Sequence, residues 1–220
     1  MSDLVPGRES RFATPHGDAR TLTARATKPA ATLLLSHGAG GGINSRDLVA
    51  LAEALPRNGI TVVCFEQPWV LAGRRAATPP PTLDDGLRAA ARRLRSRAPL
   101  ILGGRSAGAR SAARCAQELG VAGCLALAFP LHPPGRPEKS RLHELVGSGV
   151  PTLVVQGERD TFGTPEEFPD DTEMAVIPGG DHGFKVPKAG PVSPEEAMGI
   201  VVEATLEWAI REVVGESSGA

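Results

Sequence analysis

Apolar residues in this chain gather in short runs separated by segments of helical period. Four runs predict buried strands: ATLLLSH (31–37), ITVVCFE (60–66), APLILGG (98–104) and VPTLVVQG (150–157). GCLALAF (123–129) and the weaker EMAVI (173–177) predict two more. The runs are nearly continuous rather than alternating, the pattern of strands covered on both faces, as in a parallel sheet. Residues 45–57 predict a helix behind Ser45 as N-cap, and residues 83–97 place Leu83, Leu87, Ala90 and Leu94 on one stripe with arginines opposite. Ser193-Pro194-Glu195-Glu196 opens a last helix with an N-cap, a first-turn proline and a capping-box glutamate. Strand alternating with helix predicts an α/β fold, a mostly parallel, doubly wound sheet with helices on both faces. Two longer irregular stretches remain, 66–81 and 130–141, the first leaving through Pro79, Pro80 and Pro81, which favour a stiff, extended exit.

The whole chain, 1–220, reads as one domain, with a lead-in over about 1–19 and a disordered tail over 214–220. Hydrophobic residues make up 41% and charged residues 22%, an ordinary globular composition. A formal net charge of −1 gives no electrostatic reason to expect nucleic acid or a membrane surface as partner. Cys64 and Cys124 lie in apolar runs and Cys115 in a helical segment, none at metal-ligand spacing, so reduced core thiols and no metal are expected. The start MSDLVPGRESRF lacks an apolar signal region and no run reaches membrane-spanning length, which points to a soluble, cytoplasmic protein.

Chemistry enters at the ends of the strands, where open α/β sheets bind ligands. Gly104-Arg105-Ser106-Ala107-Gly108 matches G-x-S-x-G between a strand and a helix. A strand turning at once into a helix crowds the positions two before and two after the serine, which explains the glycines and lifts the hydroxyl clear of the sheet. A serine hydroxyl needs a base beside it, and histidine exchanges protons near neutral pH. His182, in PGGDHGF after the strand 173–177, is the best placed of the five histidines. Asp160, in QGERDTFG after the strand 150–157, would accept the other ring N–H and stabilise the imidazolium. The order Ser, Asp, His is that of elbow-type hydrolases. Backbone N–H groups of Ala39 and Ala107 are the candidate oxyanion donors.

Each assignment has a plainer alternative. Ser106 could be an ordinary N-cap, Asp160 a turn residue and His182 a capping or core histidine. Asp181 and Glu158 compete with Asp160 as the acid. His37 reads as a residue that orients its loop, while His16, His132 and His143 stay unassigned. Trp69, Leu131 and Phe162 are candidate apolar walls for a substrate, or plain packing. Arg74 and Arg75 could meet an anionic group, though a solvated pair is the simpler expectation.

On these motifs the chain resembles an α/β-hydrolase over residues 20–213, most closely the compact branch near the dienelactone hydrolases. FEQPW, GGRSAGAR, FPLHPPGRPEK, QGERDTFG and DHGFK are similar to a group of small predicted hydrolases related to a subunit of a chromatin acetyltransferase complex. The resemblance implies the roles given above for Ser106, Asp160, His182, Ala39 and Ala107, and no cofactor. It implies a serine hydrolase acting on a small ester, thioester or related acyl compound through an acyl-enzyme. Dienelactone hydrolases carry cysteine where this chain has Ser106, so their lactone substrates do not transfer. No long insertion follows residue 129, so no large lid domain is expected.

Two other readings fit parts of the sequence. SHGAGGGINS follows a strand and opens a helix as a dinucleotide-binding turn would, but Ile43 stands at the third glycine position and a phosphate-binding G-x-x-x-x-G-K-[ST] is absent. A non-catalytic interaction module is suggested by the chromatin-associated relatives, and the presence of all three of Ser106, Asp160 and His182 speaks against it.

Overall fold

The computed structural model describes residues 4–40, 42–94 and 98–215. All six predicted strands form: β3 (Ala31–Ser36), β4 (Ile60–Glu66), β5 (Leu100–Arg105), β6 (Gly123–Leu127), β7 (Thr152–Gly157) and β8 (Met174–Ile177). Two strands precede them, β1 (Arg8–Thr14) and β2 (Gly17–Ala24). The eight make one sheet in the order β1-β2-β4-β3-β5-β6-β7-β8. β1 and β2 pair antiparallel, β2 is antiparallel to β4, and every later pair is parallel.

Every residue of β3 and of β4 is buried, which explains their unbroken apolar runs. Successive side chains still point to opposite faces. Leu33 and Leu35 enter the core beneath α1 (Arg46–Ala54) and α6 (Pro194–Ala209), while Leu34 enters the core beneath α3 (Pro80–Arg93) and α4 (Ala107–Ala116). Two short helices, α2 (Pro68–Leu71) and α5 (Leu142–Val146), complete the set among the described residues. The segment after β6 holds only α5 and a 3-10 turn, Pro137–Lys139, so no lid domain rises over the strand ends.

The lead-in expected over 1–19 is corrected to the β1–β2 hairpin. Its strands alternate exposed, half-buried and buried positions instead of running apolar, β1 being the edge of the sheet and β2 its neighbour. Phe12 of β1 supplies the anchor, stacked on Phe65 of β4 with ring centres 6.1 Å apart and the Arg93 guanidinium 5.4 Å over its face. The extended exit expected for the prolines holds for Pro79 alone. Pro80 and Pro81 are the first residues of α3, where a missing N–H costs no helical hydrogen bond. α2 likewise winds part of the stretch 66–81 expected to be irregular. Residues 95–97 of the predicted helix lie outside the described residues, as does 216–220 of the predicted tail. Val214 of that tail ends a π-helical turn over Ile210–Val214.

The last helix starts as expected. The Ser193 hydroxyl accepts from the Glu196 N–H at 3.1 Å, and the Glu196 carboxylate accepts from the Ser193 N–H at 2.6 Å. α4 is tied down by charge. Arg110 forks onto Glu144 of α5 with two bonds of 2.6 Å, and Arg114 forks onto Asp84 of α3 at 2.8 and 2.7 Å. Ser111 also donates to Asp84, at 2.7 Å. Such half-buried bidentate pairs fix geometry as well as charge, and here they hold the helix whose first turn follows the elbow serine. No described helix is long and apolar enough to cross a membrane.

Candidate active site

Three strand ends converge at the carboxyl edge of the sheet: the junction of β5 and α4, the turn after β7 and the loop after β8. At the first, Ser106 has φ 52° and ψ −110°, a region that L residues seldom occupy. The turn is tight enough that a Cβ on Gly104 would lie 2.4 Å from the carbonyl carbon of Gly108. A Cβ on Gly108 would lie 2.3 Å from the Ser36 carbonyl oxygen and 2.8 Å from that of His37. Neither space can hold a methyl group. Ala128 (φ 45°) and Phe184 (φ 54°) are the other left-handed residues besides glycines among those described. Both flank the same edge, one just after β6 and one just after His182. Strain of this kind persists where the surroundings impose it, and it collects at functional sites.

Ser106 does not cap α4. Its hydroxyl makes no cap hydrogen bond and lies instead 2.9 Å from Nε2 of His182. Nδ1 of His182 lies 2.7 Å from Oδ2 of Asp160. A carboxylate accepts, so Nδ1 carries the proton and Nε2 presents its lone pair to the serine hydroxyl. Asp160 is fully buried, and its oxygens accept two further bonds: Oδ2 from the Gln156 amide at 3.1 Å and Oδ1 from the Phe162 N–H at 2.8 Å. Such partners offset the cost of burying a carboxylate. The rival acids are engaged elsewhere. Asp181 accepts from the N–H groups of Gly183 and Lys185 at 2.7 and 2.9 Å, and the exposed Glu158 accepts from the Gly179 N–H.

The loop after β3 packs on the elbow. A Cβ on Gly38 would lie 3.4 Å from that of Ser106, so the chain passes the serine at contact distance and carries Ala39 beside it. Ala107 is the first residue of α4, whose N–H has no partner within the helix. Among the described residues no hydrogen bond engages the N–H of Ala39 or of Ala107. His37 orients this loop, with Nδ1 donating to the Gly38 carbonyl at 2.8 Å and Nε2 accepting from the Gln67 N–H at 3.1 Å.

The three expected apolar walls separate on inspection. Phe162 is half-buried and stacks on the His182 ring with centres 4.2 Å apart. Trp69 is buried with its ring 5.5 Å from that of His37. Leu131 is 3% exposed and packs beneath Gly163 as part of the core, so its structural role is packing. Arg74 and Arg75 are exposed and form no ion pair among the described residues. A groove of about 770 Å³ runs between α1 and α6 and includes none of these residues.

Among the residues left unassigned, His132 is buried and joins the two loops that rim the site. Its Nδ1 donates to the Pro133 carbonyl at 2.9 Å, its Nε2 donates to Glu167 at 2.8 Å, and its N–H donates to the Phe162 carbonyl at 3.0 Å. The bond to the Pro133 carbonyl raises the imidazole above its ordinary value, and the Glu167 carboxylate adds to this against the opposing effect of burial. A raised histidine stabilises the fold fully below the unfolded value of about 6.5, and that stability is lost as the pH rises through the folded value. His132→Ala is therefore expected to lower Tm by about 2–4 °C more at pH 6 than at pH 9, the scale of one charge-assisted bond in a chain of this length, as read by thermal unfolding at the two pH values.

Gln156 was not foreseen. It is fully buried, and its amide also donates to the carbonyls of Phe129 at 3.2 Å and Gly163 at 2.8 Å. Its signal was a polar residue inside an otherwise apolar strand, four positions before the acid. The thiols take no part: burial pushes Cys115 and Cys124 up to about 12, and Cys64 further still. No cluster able to hold a metal ion occurs among the described residues.

A serine hydrolase homologue from Coxiella burnetii is 21% identical, with a TM-score of 0.72 over 91% of this chain and 98% of its own. A serine hydrolase without lid from Xanthomonas campestris is 21% identical, with a TM-score of 0.68 over 93% of this chain and 97% of its own. A dienelactone hydrolase from Anabaena variabilis is 17% identical, with a TM-score of 0.69 over 93% and 99%. These likenesses show the fold. No curated protein matches the sequence. The family model described as alpha/beta hydrolase domain matches residues 29–210, which span every element from β3 to α6 and the three residues of the hydrogen-bonded chain. The protein belongs to the alpha/beta hydrolase domain family.

Proposed function

We propose that the protein is a serine hydrolase that cleaves a small ester, thioester or related acyl compound through Ser106, His182 and Asp160. The observation that carries this reading is the unbroken chain of two bonds, 2.9 and 2.7 Å, from hydroxyl to imidazole to buried carboxylate. Ser106 Oγ attacks the acyl carbonyl while His182 Nε2 takes its proton, and Asp160 holds the ring and stabilises the imidazolium. The tetrahedral oxyanion is met by the N–H groups of Ala107 and Ala39, whose lack of other partners fits that task. His182 then gives the proton to the leaving group; in the second half it takes a proton from water, whose oxygen attacks the acyl carbon, and returns it to Ser106 as the acyl bond breaks and the acid leaves. Phe162, stacked on His182, forms an apolar side to the acyl site and shields the base.

The absence of a lid and the polar strand-end loops favour small substrates over lipids. The resemblance of PLHPPG and its companions to hydrolases related to a chromatin acetyltransferase subunit adds no substrate to this reading. Treatment with a fluorophosphonate probe tests it. Rapid labelling that Ser106→Ala abolishes is expected, and wild-type protein left unlabelled would point to a binding module. A panel of short-chain nitrophenyl esters and thioesters then separates the acyl classes.

A further inference from the structure

We infer that Arg105, the residue between the first glycine and the serine of the elbow, is a positioning residue for the base. The inference rests on the hydrolase reading above. Arg105 ends β5 and is covalently joined to Ser106, yet its side chain turns into the protein and is only 14% exposed. Its Nη2 donates to the main-chain carbonyl of His182, and its guanidinium lies 5.3 Å over the ring of Phe184, two residues beyond the base. Nη1 lies 3.5 Å from Oδ2 of Asp47 on α1.

The obvious competing role is a structural ion pair with Asp47, and the geometry disfavours it. The contact is long and single. Nε of Arg105 and Oδ1 of Asp47 are both buried without a partner, so the fork that makes an arginine–carboxylate pair strong is not closed. A guanidinium placed to tie α1 to β5 would turn both groups onto Asp47. This one is turned toward the loop after β8 instead.

That loop is tied to the turn after β7, where the Arg159 N–H donates to the Gly180 carbonyl at 2.8 Å and the Gly179 N–H donates to the Glu158 carboxylate, but not by these bonds to the serine's own turn. The turn around His182 holds itself together, through the Asp181 carboxylate and a bond from the Phe184 N–H to the Asp181 carbonyl at 2.8 Å. Those bonds fix its shape and not its place relative to the serine. Arg105 adds the tie from the elbow itself to this loop. The backbone that sets Ser106 also sets, through one side chain, the main chain that carries the imidazole. Misplacement by about 1 Å can cost roughly 100-fold in rate, so a tie of this kind acts on the chemical step and not on substrate binding.

The test uses 4-nitrophenyl acetate with Arg105→Met, Arg105→Lys and Asp47→Asn. Arg105→Met is expected to lower kcat about 10–100-fold with KM within about threefold of wild type. Arg105→Lys, which keeps one donor able to reach the carbonyl, is expected to fall between the two. Asp47→Asn removes the ion pair and leaves the bond to His182, so it should lower Tm and keep kcat within about threefold. Proton NMR gives a second readout, the far-downfield signal of the His182 Nδ1 proton shared with Asp160, expected to broaden or vanish in Arg105→Met and to persist in Asp47→Asn. Wild-type kcat in Arg105→Met, or equal kcat losses in Arg105→Met and Asp47→Asn, would overturn the inference. If Arg105→Met does not fold, Arg105→Lys against Asp47→Asn carries the same comparison. The NMR signal reads the placement of His182 whether or not an ester is turned over, so failure of the positioning idea and failure of the hydrolase reading remain distinguishable.

Discussion

Ser106→Ala and His182→Ala are each expected to reduce kcat for ester hydrolysis by about 10⁶-fold, and Asp160→Asn by about 10⁴-fold, the sizes found for comparable triads. The inequality follows from the bonds. In the proposed mechanism the serine supplies the electrons that form the acyl bond, and His182 Nε2, 2.9 Å away, is the group in reach of its proton. Removing either leaves catalysis to the oxyanion donors and to binding. Asp160→Asn keeps the volume and can still bond the ring, but the amide presents a donor where Nδ1 also donates, so the ring is driven toward the wrong tautomer. Because the two strongest losses describe one unit, the double variant Ser106→Ala/His182→Ala should be no worse than either alone. Hydrolysis of nitrophenyl acetate followed by absorbance checks all four. A fully active His182→Ala protein would remove the base from the mechanism. Ser106→Gly should be equally inactive yet more stable than wild type by about 1 kcal/mol, since glycine occupies a φ of 52° without strain.

The second large effect is on stability. Gly108→Ala places a methyl group 2.3 Å from the Ser36 carbonyl oxygen and 2.8 Å from that of His37, both main-chain atoms of β3 and its following loop. Flexible side chains can move aside for about 1 kcal/mol, but here a central, fully buried strand has to shift against the helix. A cost of about 3 kcal/mol or more is expected, lowering Tm by roughly 6–12 °C. The same substitution at Gly199, where a Cβ meets nothing within 4 Å, should have little effect or be mildly stabilising in its helix. Thermal unfolding of the two variants makes the comparison. Equal Tm values would mean that the elbow is looser than its geometry.

How far the sequence carried the interpretation depended on how each feature is encoded. Strands covered on both faces announce themselves, so ATLLLS and ITVVCFE could be placed to within a residue or two. The hairpin Arg8–Ala24 was not legible, because its strands are half wet and β2 is held in the sheet by β4, from elsewhere in the chain. The elbow was legible through its glycines, which carry a steric demand in their spacing. Asp160 and His182 were legible as candidates through their positions after strands, but their distances from Ser106 depend on sheet order, which no local pattern records. Phe162 was named as a wall and lies on the base, whereas Leu131, named with it, sits in the core. Arg105 and Gln156 act through long side chains reaching 77 and 4 positions along the chain. Contacts of that kind leave no period to read.

The contact between Gly104, Gly108 and the end of β3 has a consequence for redesign. The turn at Ser106, the end of β3 and the loop after it share backbone surfaces with no slack, and so behave as a single casting. Diversity for new acyl groups is best introduced at exposed loop positions such as Arg74, Arg75 and Arg136, with the half-buried Phe162, stacked on His182, as the one inner site to vary. Libraries confined there should keep a high fraction of folded members, while those that touch the casting should lose folding before they gain any new selectivity.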